Sequence, residues 1–141
     1  MIVVRRALVQ EHAALAALAV AAMRAAFHWH PPQHWRADVF LADAAGDDLY
    51  AADLEGALAG VLGFYAPENF IHSLFVAPGF QRRGVGAALL TRARALATGP
   101  LSLKVDEPNL AARAIYARFG FEEAGRGEAN GVPWLALRAR S

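Results

Sequence analysis

The chain has 141 residues, of which 56% are hydrophobic and none is cysteine, and its 14 basic and 13 acidic side chains give a net charge of +1 at pH 7. This length suits one compact domain, so the sequence predicts a single domain over residues 1–141. The lack of cysteine excludes a disulfide framework, a thiolate metal site and a cysteine nucleophile. Dispersed, nearly balanced charge gives no reason to expect nucleic acid, and no apolar run approaches the roughly 20 residues of a membrane span.

The first half of the chain alternates strand and helix patterns. Its opening residues are typical of a strand and not of a signal peptide, because no long apolar segment with a cleavage site follows, so we expect a cytoplasmic protein. Apolar residues at helical spacing and short apolar runs bounded by turn residues define the rest. The predicted elements are a strand over 2–7, a helix over 10–27, a loop over 28–34, a short helix over 35–42, and strands over 49–54 and 57–65 joined by a turn at Glu55-Gly56.

The second half continues in the same way. The strand over 69–76 is apolar on both faces, which is typical of a central strand. The other predicted elements are a helix over 84–97 that stops at Gly99-Pro100, a strand over 101–105, a helix that begins after Asn109, and closing strands over 121–125 and 132–138 joined through 127–131. The sum is a mixed α/β sheet covered by four helices.

A glycine-containing segment, Gln81-Arg82-Arg83-Gly84-Val85-Gly86, connects the predicted central strand to the helix after it. The first N–H groups of a helix have no internal partner, and the helix dipole favours negative charge there. Two arginines at such an end have the wrong sign for the dipole unless an anionic ligand lies beside them. The segment therefore predicts an anion site, with a simple tight strand–helix turn as the alternative.

The spacing of the glycines decides which anion is favoured. A dinucleotide fingerprint needs a third glycine where Leu89 stands, and the phosphate loop of nucleotide triphosphatases needs a Gly-Lys-Ser/Thr sequence that this chain lacks. The pattern Gln81-x-x-Gly84-x-Gly86 instead resembles the pyrophosphate loop of the GCN5-related N-acetyltransferases, which binds the diphosphate of acetyl-coenzyme A.

A second signature of that family follows in the expected order. Asn109 is followed by an alanine three residues on, by Tyr116, and then by Gly120-Phe121. As local structure, this is a short helix with Asn109 as N-cap and Gly120 as its stop. An N-cap and a half-buried aromatic would each explain one of these residues alone. The resemblance extends from about residue 69 to residue 121.

The resemblance implies a fold, a reaction and a set of binding residues. The fold would be an α/β (α+β) domain with a mixed, mostly antiparallel sheet of about six to seven strands, four helices and a splayed central strand pair. The reaction would be direct acetyl transfer from acetyl-coenzyme A to a primary amine in a ternary complex, without a metal. The implied cofactor-binding residues are Leu74, Phe75, Val76, Gln81, Arg82, Arg83, Gly84, Val85, Gly86, Ala87, Asn109 and Tyr116.

The resemblance assigns the general acid but leaves the general base open. Tyr116 would protonate the departing thiolate. In one branch of the family a glutamate lies five residues before the asparagine, and here that position is Lys104. His72 is the leading candidate base, because histidines titrate near neutrality and the strand pattern puts it on the face of Leu74 and Val76. Further candidates are Glu68, Asp106 and a chain of water molecules.

The segment 27–35 is rich in histidine and tryptophan. No carboxylate or cysteine completes a metal-ligand set with its three histidines, so we do not expect a metal there. Its aromatic residues are interpreted either as a wall of the acceptor site or as part of the core.

Two other functions are compatible with these motifs. One is an acetyl-coenzyme A sensor or partner module of the same fold without turnover, and the other is a nucleotide-binding domain. The expected partner of the enzyme is a small-molecule or peptide amine, with no nucleic acid and no membrane. The sequence leaves open which amine it is and whether the chain forms a homodimer.

Overall fold

The computed structural model describes residues 1–140. This part of the chain forms seven strands and four α-helices, with short 3-10 turns between some of them. In order, they are β1 (Ile2–Arg6), α1 (His12–Ala26), α2 (Ala37–Asp43), β2 (Asp48–Leu54), β3 (Ala57–Tyr65), β4 (Phe70–Val76), α3 (Val85–Leu96), β5 (Ser102–Asp106), α4 (Leu110–Arg118), β6 (Phe121–Ala129) and β7 (Val132–Ala139).

All seven strands form one sheet in the order β1-β2-β3-β4-β5-β7-β6. Every neighbouring pair is antiparallel except β4 and β5, which are parallel. The predicted α/β fold with a mostly antiparallel sheet and four helices is therefore confirmed. The strand over 69–76 is central, as its apolar character on both faces predicted.

The central pair β4 and β5 separates soon after it begins. Within the described residues their register contains two pairs, Phe70 with Ser102 and Ile71 with Leu103. The remainder of β4 stays paired with β3 as far as Val76, which lies opposite Gly60. The edge of β4 that faces β5 is consequently unpaired over residues 74–76, as expected for a splayed pair.

The two faces of the sheet carry separate apolar cores. On one face, α3 and α4 pack on all of the central strands, with Leu62, Leu89 and Leu103 among the fully buried side chains. On the other face, α1 and α2 cover β2 and β3 around Leu15 and Val61. This second core does not extend across β5–β7, so the sheet is open there beside the segment 27–35.

Two features of the strands differ from the sequence predictions. The strands over 121–125 and 132–138 are longer and meet in a two-residue turn, Asn130-Gly131, because both residues adopt the positive φ of a tight hairpin. The predicted connection over 127–131 is therefore too long. In β4, a register shift opposite Gly63 and Phe64 interrupts the alternation, so Ile71, and not His72, shares the core of Leu74 and Val76.

None of the helices in residues 1–140 combines the length and the apolar character that crossing a bilayer requires.

Candidate functional site

Two connected cavities lie where β4 and β5 separate. The narrower one, of about 150 Å³, runs from Gly86 at the start of α3 along the free edge of β4. The wider one, of about 330 Å³, opens between the ends of β4 and β5 and the segment 27–35. The two cavities share part of their walls, namely Phe27, Leu74, Phe75, Asn109, Ala112 and Tyr116. A ligand that occupies the narrow cavity can therefore present one end to the wide one.

The glycine segment forms the outer end of the narrow cavity. Gly84 is the N-cap of α3 with φ +85°, a left-handed conformation that glycine adopts without strain. The first backbone bond of the helix runs from the Ala88 N–H to the Gly84 carbonyl at 3.0 Å. The N–H groups of Val85, Gly86 and Ala87 thus have no helical acceptor, which is the arrangement that binds a phosphate.

The polar side chains of this segment divide into two roles. The Gln81 Nε2 donates a hydrogen bond to the Val76 carbonyl at 2.9 Å, so Gln81 ties the loop to the end of β4. Arg82 and Arg83 are exposed and form no ion pair within the described part of the chain. Their charge is available to an anion at the helix N-terminus.

Asn109 lies at the junction of the two cavities. Its Oδ1 accepts a hydrogen bond from the Ala112 N–H at 3.3 Å, so the predicted N-cap is confirmed. Gly120, with φ +86°, follows the last turn of α4 as the predicted stop. The carboxamide oxygen therefore accepts the capping hydrogen bond, and the N–H₂ donors of the same group remain for a ligand.

Tyr116 is buried on α4, with 8% of its surface exposed, and it lines both cavities. Its ring meets Phe121 edge to face at 5.7 Å. Burial disfavours the charged phenolate and raises the pKa of Tyr116 from 10.0 to about 12. The hydroxyl is therefore a protonated donor at any physiological pH, which is the state that a general acid needs.

This burial should be measurable as alkaline destabilisation. The unfolded chain loses the tyrosine proton near pH 10, while the folded chain holds it to about pH 12. The contribution of protonated Tyr116 to the free energy of unfolding is therefore intact below pH 10 and is lost as the pH rises towards 12. We expect the free energy of unfolding to fall by about 3 kcal/mol more in the wild type than in Tyr116→Phe over this interval. Urea unfolding at several pH values measures the difference, and parallel curves would contradict the assignment.

His72 is paired with a carboxylate that the sequence analysis did not identify. Its Nδ1 lies 3.1 Å from Oδ2 of Asp47 and 3.3 Å from Oδ1. The Asp47 side chain is 1% exposed, whereas that of His72 is 46% exposed. With Nδ1 towards the carboxylate, Nε2 is the nitrogen left to accept a proton in the neutral ring. His72 lines the wide cavity and also an outer groove that contains Asp47.

The two other candidate carboxylates lie in different surroundings. Asp106 lines the wide cavity, but its Oδ2 accepts a hydrogen bond from Trp29 Nε1 at 2.9 Å. Glu68 does not line either of the two connected cavities and borders the outer groove instead. Of the candidate bases, only His72 combines a place in the wide cavity with a buried carboxylate beside it.

The segment 27–35 forms one wall of the wide cavity. Arg24 holds it through hydrogen bonds to the carbonyls of Pro32 at 2.9 Å and Trp35 at 2.8 Å. Phe27 and Trp35 pack against each other and into the second core, and His30 stacks on His34 at 4.1 Å. The segment thus serves both as cavity wall and as part of the core. Within residues 1–140, no group of three or more histidine, cysteine or acidic side chains is placed to hold a metal ion.

Lys104 lines the wide cavity from β5. Its Nζ lies 4.4 Å from the centroid of the Trp134 ring, a cation–π geometry. The Trp134 ring in turn lies against Gly127, where a Cβ atom would come within 2.1 Å of it. Neither Trp134 nor Asn130, which lines the cavity from the β6–β7 turn, was predicted from the sequence. The Asn-Gly dipeptide, a hairpin signal, could have revealed the latter.

Comparison with known proteins identifies similar sequences. A model of the acetyltransferase (GNAT) family matches residues 10–121. Mycothiol acetyltransferase from Geodermatophilus obscurus is 43% identical over 88 residues, which is 57% of this chain and 28% of that protein. The chain therefore spans less than a third of the length of this relative.

Solved structures resemble the whole chain at low sequence identity. A GCN5-related N-acetyltransferase from Rhodopseudomonas palustris superposes with a TM-score of 0.83 at 22% identity, covering 97% of this chain and 94% of its own. The PaiA N-acetyltransferase from Thermoplasma acidophilum, solved with coenzyme A, has a TM-score of 0.82 at 13% identity, with 100% of this chain and 99% of its own covered. The ribosomal-protein-S18-alanine N-acetyltransferase from Escherichia coli has a TM-score of 0.76 at 20% identity, with 99% of this chain and 93% of its own covered. These likenesses support the fold.

Proposed function

Because the chain belongs to the acetyltransferase (GNAT) family, we propose that it transfers the acetyl group of acetyl-coenzyme A directly to a primary amine. The observation that carries this proposal is the pair of connected cavities, which leads from the free N–H groups of α3 to a second chamber past Asn109 and Tyr116. A long cofactor and a separate acceptor can occupy such a site together, as direct transfer in a ternary complex requires.

The chain offers a suitable group for each part of the cofactor. The N–H groups of Val85–Ala87, with Arg82 and Arg83, would bind the diphosphate. The free edge of β4 over residues 74–76 would pair with the amide-containing arm, as an added strand pairs with a sheet edge. Asn109, with its unused amide donors, would bind near the thioester. Gln81 would act indirectly, since its side chain is engaged with the Val76 carbonyl.

The reaction itself needs two proton transfers. Bound acetyl-coenzyme A supplies a thioester whose carbonyl carbon forms a bond to the amine nitrogen while its bond to sulfur breaks. His72 would accept the proton that the amine loses, with Asp47 orienting its ring and facing the positive charge that develops. Tyr116 would give its proton, or a hydrogen bond, to the sulfur that leaves.

We expect His72→Ala to remove the acidic limb of the pH–rate profile and to lower kcat/KM at neutral pH by about tenfold to a hundredfold. The loss is moderate because the His72 side chain is 46% exposed, so water or buffer can replace it in part. Asp47→Asn should keep the acidic limb of the pH–rate profile and lower the plateau value of kcat/KM, since the His72 ring remains but is no longer oriented. Cofactor affinity, measured by isothermal titration, should be unchanged in both variants. A wild-type pH–rate profile in His72→Ala would assign the base to Asp106, Glu68 or water.

The proposal is tested by thiol release from acetyl-coenzyme A in the presence of an amine library. A thermal-shift panel of acetyl-coenzyme A, coenzyme A, NAD and ATP is run in parallel. Selective stabilisation by the coenzymes together with amine-dependent thiol release would support the transferase. Stabilisation without release from any amine would favour the acetyl-coenzyme A sensor, and stabilisation by NAD or ATP alone would favour a nucleotide-binding domain.

A further inference from the structure

We infer that the amine acceptor carries an anionic group a few bonds from its nitrogen and that Lys104 binds this group. The acceptor class is that of amino acids with an apolar side chain, or of close analogues in which another anion replaces the carboxylate. This inference rests on the proposed transfer reaction and specifies the substrate of the same site.

The position of Lys104 supports the first part of the inference. The residue lies on β5 opposite Ala136 of β7, and its side chain lines the wide cavity together with His72 and Tyr116. A cation on this wall faces the space where the amine must lie if His72 and Tyr116 perform the proton transfers.

Lys104 forms no ion pair within residues 1–140. No carboxylate oxygen lies within 4.0 Å of its Nζ. Two of the carboxylates that line its cavity or the adjoining groove already have other partners, Asp106 in Trp29 and Asp47 in His72. Asp43 and Glu68 border the outer groove, which Lys104 also lines, and neither forms an ion pair with it.

Trp134 holds the ammonium in place without neutralising it. The ring attracts the cation through its quadrupole and carries no net charge. Only a residue without a side chain opposite Trp134 allows this arrangement, because the ring occupies the position of a Cβ at Gly127. The strands thus fix a cation at a defined place on the cavity wall.

Electrostatics then selects among possible amines. A free primary amine reaches the site mostly as an ammonium, since its pKa is near 10.4 in water. Lys104 repels a simple ammonium in this cavity, whereas an anionic group on the same molecule is attracted to Lys104 and offsets the repulsion. An acceptor with both groups therefore binds better than an amine alone.

The other lining residues and the volume of the wide cavity indicate the polarity and the size of the rest of the acceptor. Part of its wall is apolar and aromatic, formed by Met23, Phe27, Trp35 and Phe75. The volume of about 330 Å³ is at the lower end for small-molecule sites. A molecule with the size and apolar side chain of leucine or phenylalanine fits this description.

Matched amine pairs test the inference. Thiol release is measured with L-phenylalanine and phenethylamine, and with L-leucine and isopentylamine, which differ in each pair by the carboxylate. We expect the wild type to prefer the acid in kcat/KM by tenfold or more. Lys104→Met should reduce that preference at least tenfold, mainly through KM of the acid, and leave the affinity for acetyl-coenzyme A unchanged. Comparing ratios between variants cancels differences in intrinsic amine reactivity.

Arg138→Met provides the matched control. Arg138 is an exposed cation on β7, two residues beyond the partner of Lys104, and it does not line the wide cavity. This variant should keep the preference, which separates a local contact from a change in net charge. A preference for the neutral amines, or an acid preference that survives in Lys104→Met, would overturn the inference and leave the transferase standing. Cofactor binding without turnover of any amine would overturn the proposed function, and the inference with it.

Discussion

Gly86→Glu should abolish the binding of acetyl-coenzyme A. The side chain would project from the first turn of α3 into the narrow cavity, where it would fill the space of the diphosphate and add a charge of the same sign. Folding should survive, because a Cβ at Gly86 would meet only Val76 Cγ2, at an ordinary 3.8 Å. Isothermal titration measures the loss, and circular dichroism and thermal unfolding check the fold.

The choice of Gly86 instead of Gly84 keeps this experiment interpretable. Gly84→Glu should also abolish binding, but φ at Gly84 is +85°, so any side chain there strains the backbone by roughly 1–2 kcal/mol. Gly86→Gln is the matched control for charge, and Gly86→Ala is the control for a small side chain. Unchanged affinity in a folded Gly86→Glu protein would remove the glycine segment from the cofactor site.

Tyr116→Phe should lower kcat by roughly tenfold to a thousandfold while cofactor affinity stays nearly intact. The substitution removes the hydroxyl and keeps the ring that packs on Phe121, so the core should be preserved. Steady-state kinetics with the best amine found, and titration of coenzyme A, give the two quantities. An unchanged kcat with chemistry shown to be rate-limiting would leave Tyr116 with a packing role.

The pKa of Tyr116 sharpens this expectation. At about 12 it lies well above the ~8.5 of an ordinary thiol, so complete transfer of its proton to a free thiolate is uphill. The hydroxyl is better suited to donating a hydrogen bond as negative charge builds on sulfur, which is when the bond is strongest. Deprotonation of Tyr116 should therefore contribute no loss of kcat below about pH 10.

Local patterns in the sequence were sufficient for much of the fold and for the local structure at the candidate site. The glycines before α3, the Asn109 cap and the stop at Gly120 each depend on residues within one turn of one another, and all three appear as predicted. The central position of β4 followed from its apolar character on both faces. The bounds of the helices and strands differ from the predictions by a few residues at most, except at the long β6–β7 hairpin.

The contacts around the wide cavity could not be predicted in this way. Asp47 lies 25 residues from His72, and the two meet only because Asp47, just before β2, reaches across Gly63 of β3 to the shifted register of β4. Lys104 and Trp134 are joined through strand pairing of β5 with β7. Such contacts depend on tertiary pairing, and a single sequence carries no periodic signal for them.

The separation of β4 from β5 also affects how the fold holds together. It divides the sheet into a four-stranded half, β1 to β4, and a three-stranded half, β5 to β7, which share backbone bonds at two residue pairs and otherwise meet through the core beneath α3 and α4. A ligand that pairs with the free edge of β4 would act as an eighth, non-peptide strand in the gap. The cohesion between the halves, and with it the cooperativity of unfolding, would then depend on ligand concentration through mass action.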